Sequence, residues 1–303
     1  MKLKKQLLIL ISALYITCSA HSKIILWDLG NVLFSSSKIA MSRHVGWWDC
    51  LKYAICDFRN PAGLRQKFYQ VLHTAREKEE RNATICSEPG KFMPNIMCEY
   101  QAGVINSDQL RKEIAATLDK LEKRDDIIDQ LNERCSDLPF EKFFSSPRER
   151  RLIERIMETA FNPAIFASFT QAINAGVQLL QKCAAKKTAA EQPAHEMMVL
   201  SNWDAESFQK IKESEVGKPV FKHFKDENIY VSGFFNDMRR LKPHENAFLK
   251  IIYQTGKRPS DFVFIDDQEH NVEMAKKCGM DAILVNNGDF ATVEAELKKR
   301  GLI

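Results

Sequence analysis

Apolar positions follow two alternating patterns along this chain. Short unbroken apolar runs bounded by polar residues occur in KIILWDLG from Lys23, at 197–200 leading into SNWD, in NIYVSG from Asn228, in DFVFIDD from Asp261 and in DAILVNN from Asp281. Such runs, ended by a turn, suit parallel strands buried on both faces. Between them apolar residues recur at helical spacing over 171–186, 206–213, 245–254, 271–278 and 291–299. Strand alternating with helix predicts an α/β fold, a Rossmann-like parallel sheet covered by helices on both faces.

Residues 38–165 break the alternation. They hold charged, helix-favouring segments such as SDQLRKEIAATLDKLEKRDDIIDQLNER and no convincing strand. This is the pattern of an all-helical domain inserted into a core made of residues 23–37 and 166–303. The mixed-sign run LEKRDDIIDQLNER reads as a solvated helix face, and Trp47, Trp48, Tyr53 and Phe58 as core packing of the insertion or as the wall of a pocket.

The first 22 residues, MKLKKQLLILISALYITCSAHS, join a lysine-rich start, an apolar run from Leu7 to Thr17 and small residues at Cys18, Ser19 and Ala20. That layout reads as a signal peptide cut near Ala20, with the mature chain exported to a periplasm or secreted. The apolar run falls short of the roughly 20 residues of a membrane span, so no stable span is expected after cleavage, and Tyr15, Ile16 and Thr17 fit a lipoprotein signal at Cys18 poorly. Loss of Lys2, Lys4 and Lys5 takes the formal charge from +4 to +1, which gives no electrostatic reason to expect nucleic acid as a partner. Five cysteines, Cys50, Cys56, Cys86, Cys98 and Cys135, fall inside the insertion, where an oxidising compartment would permit up to two disulfides. No pair has the spacing of a zinc site. Nothing in the sequence sets an oligomeric state.

In an open parallel sheet ligands bind beyond the carboxyl ends of the strands. Polar residues stand at four such places: Asp28 after the first strand, Ser201 and Asn202 after the second, Lys242 in the loop after the third, Asp266 and Asp267 after the fourth. Carboxylates converging on one point call for a hard cation, and Mg2+ held by one or two carboxylates and a phosphate is the usual answer. Asp28 would then attack phosphorus. Ser201, the amides near Asn202, and Lys242 would hold the phosphoryl oxygens of a small phosphorylated substrate.

The order WDLGNVLF, VLSNWD, RLKPHENAF and VFIDDQEHNVEMAKKCGMDAILV resembles the haloacid dehalogenase (HAD) superfamily, in the branch whose helical cap follows the first motif. The resemblance covers residues 23–36 and about 166–303. It implies that Asp28 is nucleophile and metal ligand, that the Gly30 carbonyl is a second ligand, and that Ser201 binds phosphate. It also implies that Lys242 is the charge clamp and Asp267 a direct magnesium ligand, with Asp266 and Asn271 bonding to the metal's waters or to Lys242. One position departs. Most phosphatases of the superfamily carry a second Asp two residues after the nucleophile, and this chain has Gly30. The expectation is therefore a Mg2+-dependent phosphatase that is slow, selective for good leaving groups, or supplied with an acid from the cap, where His44, His73 and Glu99 are candidates. The alternatives are a weak or inactive HAD-fold binding protein and a metal-independent dehalogenase-like hydrolase.

Overall fold

The computed structural model describes residues 22–46, 61–75, 86–88, 91–134 and 140–303. In chain order the elements are β1 (Lys23–Trp27), β2 (Phe34–Ser36), α1 (Lys38–Val45), α2 (Pro61–Ala75), β3 (Cys86–Glu88), β4 (Lys91–Phe92), α3 (Asn95–Gln101), α4 (Ser107–Arg134), α5 (Pro147–Phe161) and α6 (Pro163–Phe169). Then come β5 (Thr170–Ala172), α7 (Asn174–Ala185), β6 (His195–Ser201), α8 (Ala205–Glu213), α9 (Lys218–Phe221), β7 (Ile229–Val231), α10 (Glu245–Thr255), β8 (Phe262–Asp266), α11 (Glu269–Lys277), β9 (Asp281–Leu284) and α12 (Phe290–Lys299).

Five strands form one parallel sheet in the order β7-β6-β1-β8-β9. Side chains alternate between its faces, as the period of two requires. Ile25, Trp27, Val199, Val263 and Ile265 share a core with Leu179 and Leu180 of α7, Phe208 of α8 and Val293 of α12. Ile24, Leu26, Met198, Phe262 and Phe264 share another with Phe248 and Ile251 of α10 and Val272 of α11. Burial on both faces is why these strands read as unbroken apolar runs rather than as alternation.

Helices α1 to α5 bury a third cluster of their own, including Leu72, Ile96, Leu110, Ile114, Leu152, Ile153 and Phe161. The stripe Leu110, Ile114, Leu118 and Leu121 lies inward on α4, while the charged run beyond it is mostly exposed. Asp125 is the exception, its carboxylate accepting from the Phe143 and Phe144 amides at 2.8 and 2.7 Å. The insertion is not wholly helical: β3 and β4 pair as a two-stranded antiparallel ladder. Strands this short carry no periodicity over enough residues to be read.

The chain leaves and re-enters the core through β2 and β5, paired antiparallel with Phe34 opposite Ala172 and Ser36 opposite Thr170. The return runs through α6, which straddles the expected junction at 165/166; it starts where it does because Asn162 accepts from the Ala164 and Ile165 amides and Pro163 takes the first helical position. Residues 1–21, with the expected leader, and Trp47, Trp48, Tyr53 and Phe58 lie outside the described residues. Of the insertion's cysteines, Cys98 is a buried free thiol; Cys50, Cys56 and Cys135 also lie outside that range. No helix among the described residues is long and apolar enough to cross a membrane.

Candidate active site

Sheet order explains why residues distant in sequence meet. β1 lies between β6 and β8, in a register that pairs Trp27 with Val199 and with Ile265. The Asp28 amide extends that ladder, donating to the Ile265 carbonyl at 2.9 Å, so Asp28 and Asp266 leave the sheet side by side. Carboxylate oxygens of Asp28, Asp266 and Asp267 lie within 4.8 Å of one another.

Lys242 sits among them, 3% exposed. Its Nζ is 2.8 Å from Asp28 Oδ1 and 2.5 Å from Asp266 Oδ2. Burial alone would depress its pKa, but Asp266 and Asp28 hold it above the ordinary lysine value. Burial raises Asp28 to about 7, with Lys242 opposing the rise and Asp266 and Asp267 adding to it. Asp267 is likewise raised by burial, and an Asn31 hydrogen bond partly offsets this. Asp266 is held from three sides, accepting from the Gln268 amide at 2.8 Å and from Asn271 Nδ2 at 3.0 and 3.2 Å besides Lys242. Asp266 makes the expected contact with Lys242, and Asn271 reaches Asp266.

Asn202, whose neighbouring amides were expected at the substrate, lines the same cavity. Its side chain accepts from the Lys242 amide and donates to the Lys242 carbonyl, both at 2.8 Å. A carboxamide engaged at both ends positions the lysine. Ser201, 2% exposed, ends β6 at the edge of the same cavity.

After β1 the chain turns tightly, with Leu33 and Phe34 amides donating to the Leu29 carbonyl at 2.9 and 2.8 Å. Asn31 adopts the left-handed conformation, φ 54°, and its Nδ2 donates to Asp267 Oδ2 at 3.0 Å. Sequence reasoning missed Asn31, although Gly-Asn after a strand is a turn signal and Asn tolerates that backbone better than most residues. A Cβ built on Gly30 meets nothing within 4 Å.

These groups line a cavity of about 380 Å³ between core and insertion, within the usual range for small-molecule sites. The core supplies Asp28, Ser201, Lys242 and Asp267; α3, α5 and the segment before α3 supply Met93, Met97, Tyr100 and Phe161. The Tyr100 hydroxyl is buried beside Asp204 and Ser207, and burial raises its pKa. Asp204 caps α8 by accepting from the Ser207 amide at 2.7 Å. None of His44, His73 or Glu99 is among the described residues that line the cavity; His44 meets Ser168 at 3.2 Å instead.

Residues 240–301 match a family described as HAD-hydrolase-like. No curated protein matches the chain. Similar solved structures include a HAD family enzyme of Bacteroides thetaiotaomicron in complex with magnesium and inorganic phosphate (14% identity, 88% of this chain and 96% of that one, TM-score 0.46). A predicted HAD-like family hydrolase from Porphyromonas gingivalis is another (16%, 92% and 98%, 0.46), as is an L-2-haloacid dehalogenase from Xanthobacter autotrophicus (12%, 93% and 84%, 0.40). The family match spans the Lys242 and Asp266–Asp267 motifs, and the other motifs stand in order on a parallel α/β core, so the chain resembles HAD-like hydrolases in both motif order and fold.

Proposed function

We propose that the protein is a Mg2+-dependent phosphatase of small phosphomonoesters, working through an aspartyl-phosphate on Asp28. The observation that carries this reading is the set of three carboxylates, Asp28, Asp266 and Asp267, around a single buried ammonium. One lysine does not neutralise three carboxylates, and the raised Asp28 reflects the cost of burying this carboxylate beside two others without a further cation. An all-oxygen donor set of this kind fits Mg2+. Asp28, Asp267 and the Gly30 carbonyl would hold the ion, with Asp266 supporting them, and when bound it supplies charge neutralisation to the phosphoryl oxygens.

In the first step an Asp28 carboxylate oxygen forms a bond to phosphorus, the ester P–O bond breaks, and the leaving oxygen departs with the electron pair. Lys242 and the Ser201 hydroxyl stabilise the equatorial oxygens. Water then attacks phosphorus, the P–O bond to Asp28 breaks, and the carboxylate and inorganic phosphate are released. The proton lost by water balances the one taken up by the leaving alcohol. Asn202 and Asn271 act through the groups they position.

Release of inorganic phosphate from phosphomonoesters, with Mg2+ and with EDTA, tests the reading. The expected result is metal-dependent turnover that Asp28→Asn reduces by roughly 10⁴-fold or more while the fold survives. Equal rates with and without metal would sink it and favour the dehalogenase-like alternative. Inorganic phosphate binding without turnover would favour the binding-protein alternative.

A further inference from the structure

The cavity's far wall says more than its catalytic floor. Met93, Met97 and Phe161 come from the insertion, Phe166 and Trp203 from the core. Phe166 meets Trp203 edge-on at 5.9 Å, and Phe161 meets Tyr100 edge-on at 6.0 Å. Among the described lining residues Lys242 is the one cation, and Asp28 and Asp266 already engage it. The charges left are acidic: Asp267 beside the floor, and Asp204, whose carboxylate caps α8. A second anionic group on a substrate therefore finds no free cation among the described lining residues and meets a carboxylate.

The leaving-group side points the same way. Gly30 carries no acid, and His44, His73 and Glu99 are not in the described lining. Without an acid at position 30, departure is easiest for an oxygen that is stable as an anion. A phenol, with a pKa of about 10, satisfies this. A simple alkanol, as weak an acid as water, does not.

From this wall and this missing acid we infer that the site takes phosphate monoesters of an uncharged aromatic alcohol, and discriminates against phosphorylated carboxylic acids. This rests on the phosphatase reading above. The aryl group would lie against Met97, Phe161 and Trp203, and these residues would set specificity. A thioether suits the task because it adapts its shape to a ring and contacts it favourably.

Binding of phosphonates separates this inference from the phosphatase reading, because phosphonates carry the same anionic head and cannot be hydrolysed. Phenylphosphonate, methylphosphonate and 2-carboxyethylphosphonate are titrated calorimetrically into the full chain with Mg2+. Phenylphosphonate should bind about tenfold or more tightly than methylphosphonate, and the carboxyethyl compound no more tightly than the methyl one. Met97→Ala should cut the phenyl-to-methyl ratio several-fold, and Met97→Lys should raise the carboxyethyl-to-methyl ratio. Each ratio is taken within one protein, so a change in stability cancels, and the parent's ratio decides the matter if a variant fails to fold. A phenyl-to-methyl ratio near one, or tightest binding of the carboxyethyl compound, overturns the aromatic class and leaves the phosphatase reading standing. Failure of all three phosphonates and of inorganic phosphate to bind with Mg2+ overturns the phosphatase reading, and this inference with it.

Discussion

Asn202 grips Lys242 by both of its backbone polar groups, accepting from its amide and donating to its carbonyl at 2.8 Å each. The end of β6 is thereby tied to a loop residue 40 positions further on, and the Lys242 ammonium is aimed at Asp28 and Asp266. A flexible four-carbon stem reaches two carboxylates reproducibly only if its root is fixed, and this clip fixes the root.

Asn202→Ala should therefore lower both stability and activity. Two lost hydrogen bonds with buried groups cost about 2 kcal/mol, and a small displacement of Lys242 would lower kcat/KM by about 10- to 100-fold. Steady-state kinetics at saturating Mg2+, measured beside Tm, check this. A lower Tm with unchanged kinetics would mean that Asn202 stabilises the fold without placing the lysine.

Asp28 gives a pH dependence with a definite sign. Burial raises it to about 7, with Lys242 opposing and Asp266 and Asp267 adding, so the folded protein holds this proton more tightly than the unfolded chain does. Its contribution to stability is present below the ordinary carboxylate pKa and is lost as pH rises to about 7. Asn carries no such titration. In EDTA, the Tm of Asp28→Asn relative to the parent should rise from about pH 4 to about pH 7, and saturating Mg2+ should shrink the difference by giving the parent its counter-ion. Parallel Tm curves in EDTA would show that Asp28 is not the strained group.

Strand runs such as FVFID and the polar residues ending them were legible in the sequence because burial on both faces leaves an unbroken apolar signature and a parallel sheet opens at its carboxyl edge. The partners of those residues were less so. The Asn202 side chain meets Lys242 only once the loop carrying the lysine is folded against the end of β6, and Asn31 meets Asp267 only once β1 and β8 are neighbours. The insertion was hardest: α3 is amphipathic in more than one direction, burying Ile96 and Tyr100 in one cluster and Cys98 in another. Which of its residues turn to the cavity depends on how it docks.

That docking is tight enough to test. Gly103, just after α3, has φ +75°, and a Cβ there would meet the Gly233 carbonyl oxygen of the core at 2.0 Å. The Ser232 hydroxyl donates to the Gln101 carbonyl at 2.6 Å in the same seam. Gly103→Ala must accept a left-handed backbone, costing about 1–2 kcal/mol, and must also push the insertion away from the core. Tm should fall by several degrees, and KM should rise as Met97 and Tyr100 draw back from the floor. An unchanged Tm and KM would mean that the two parts are not packed as described.

Gly30 offers the most direct test of the chemistry, because the position is empty as well as acid-free: an added Cβ meets no atom within 4 Å, and the backbone does not require a positive φ. Gly30→Asp should therefore fold with a Tm close to the parent's. A positioned acid is worth about 10² to 10⁴ in rate where proton transfer limits the step, and that help grows with the basicity of the departing oxygen. Turnover of alkyl phosphates should rise by at least tenfold relative to activated aryl phosphates, whose leaving groups need little assistance. The slope of log(kcat/KM) against leaving-group pKa, measured over a series of phosphomonoesters, should flatten in the variant. A folded, Mg2+-binding Gly30→Asp protein with the parent's slope would show that leaving-group protonation is not what limits this site, and would return the missing acid to a donor elsewhere.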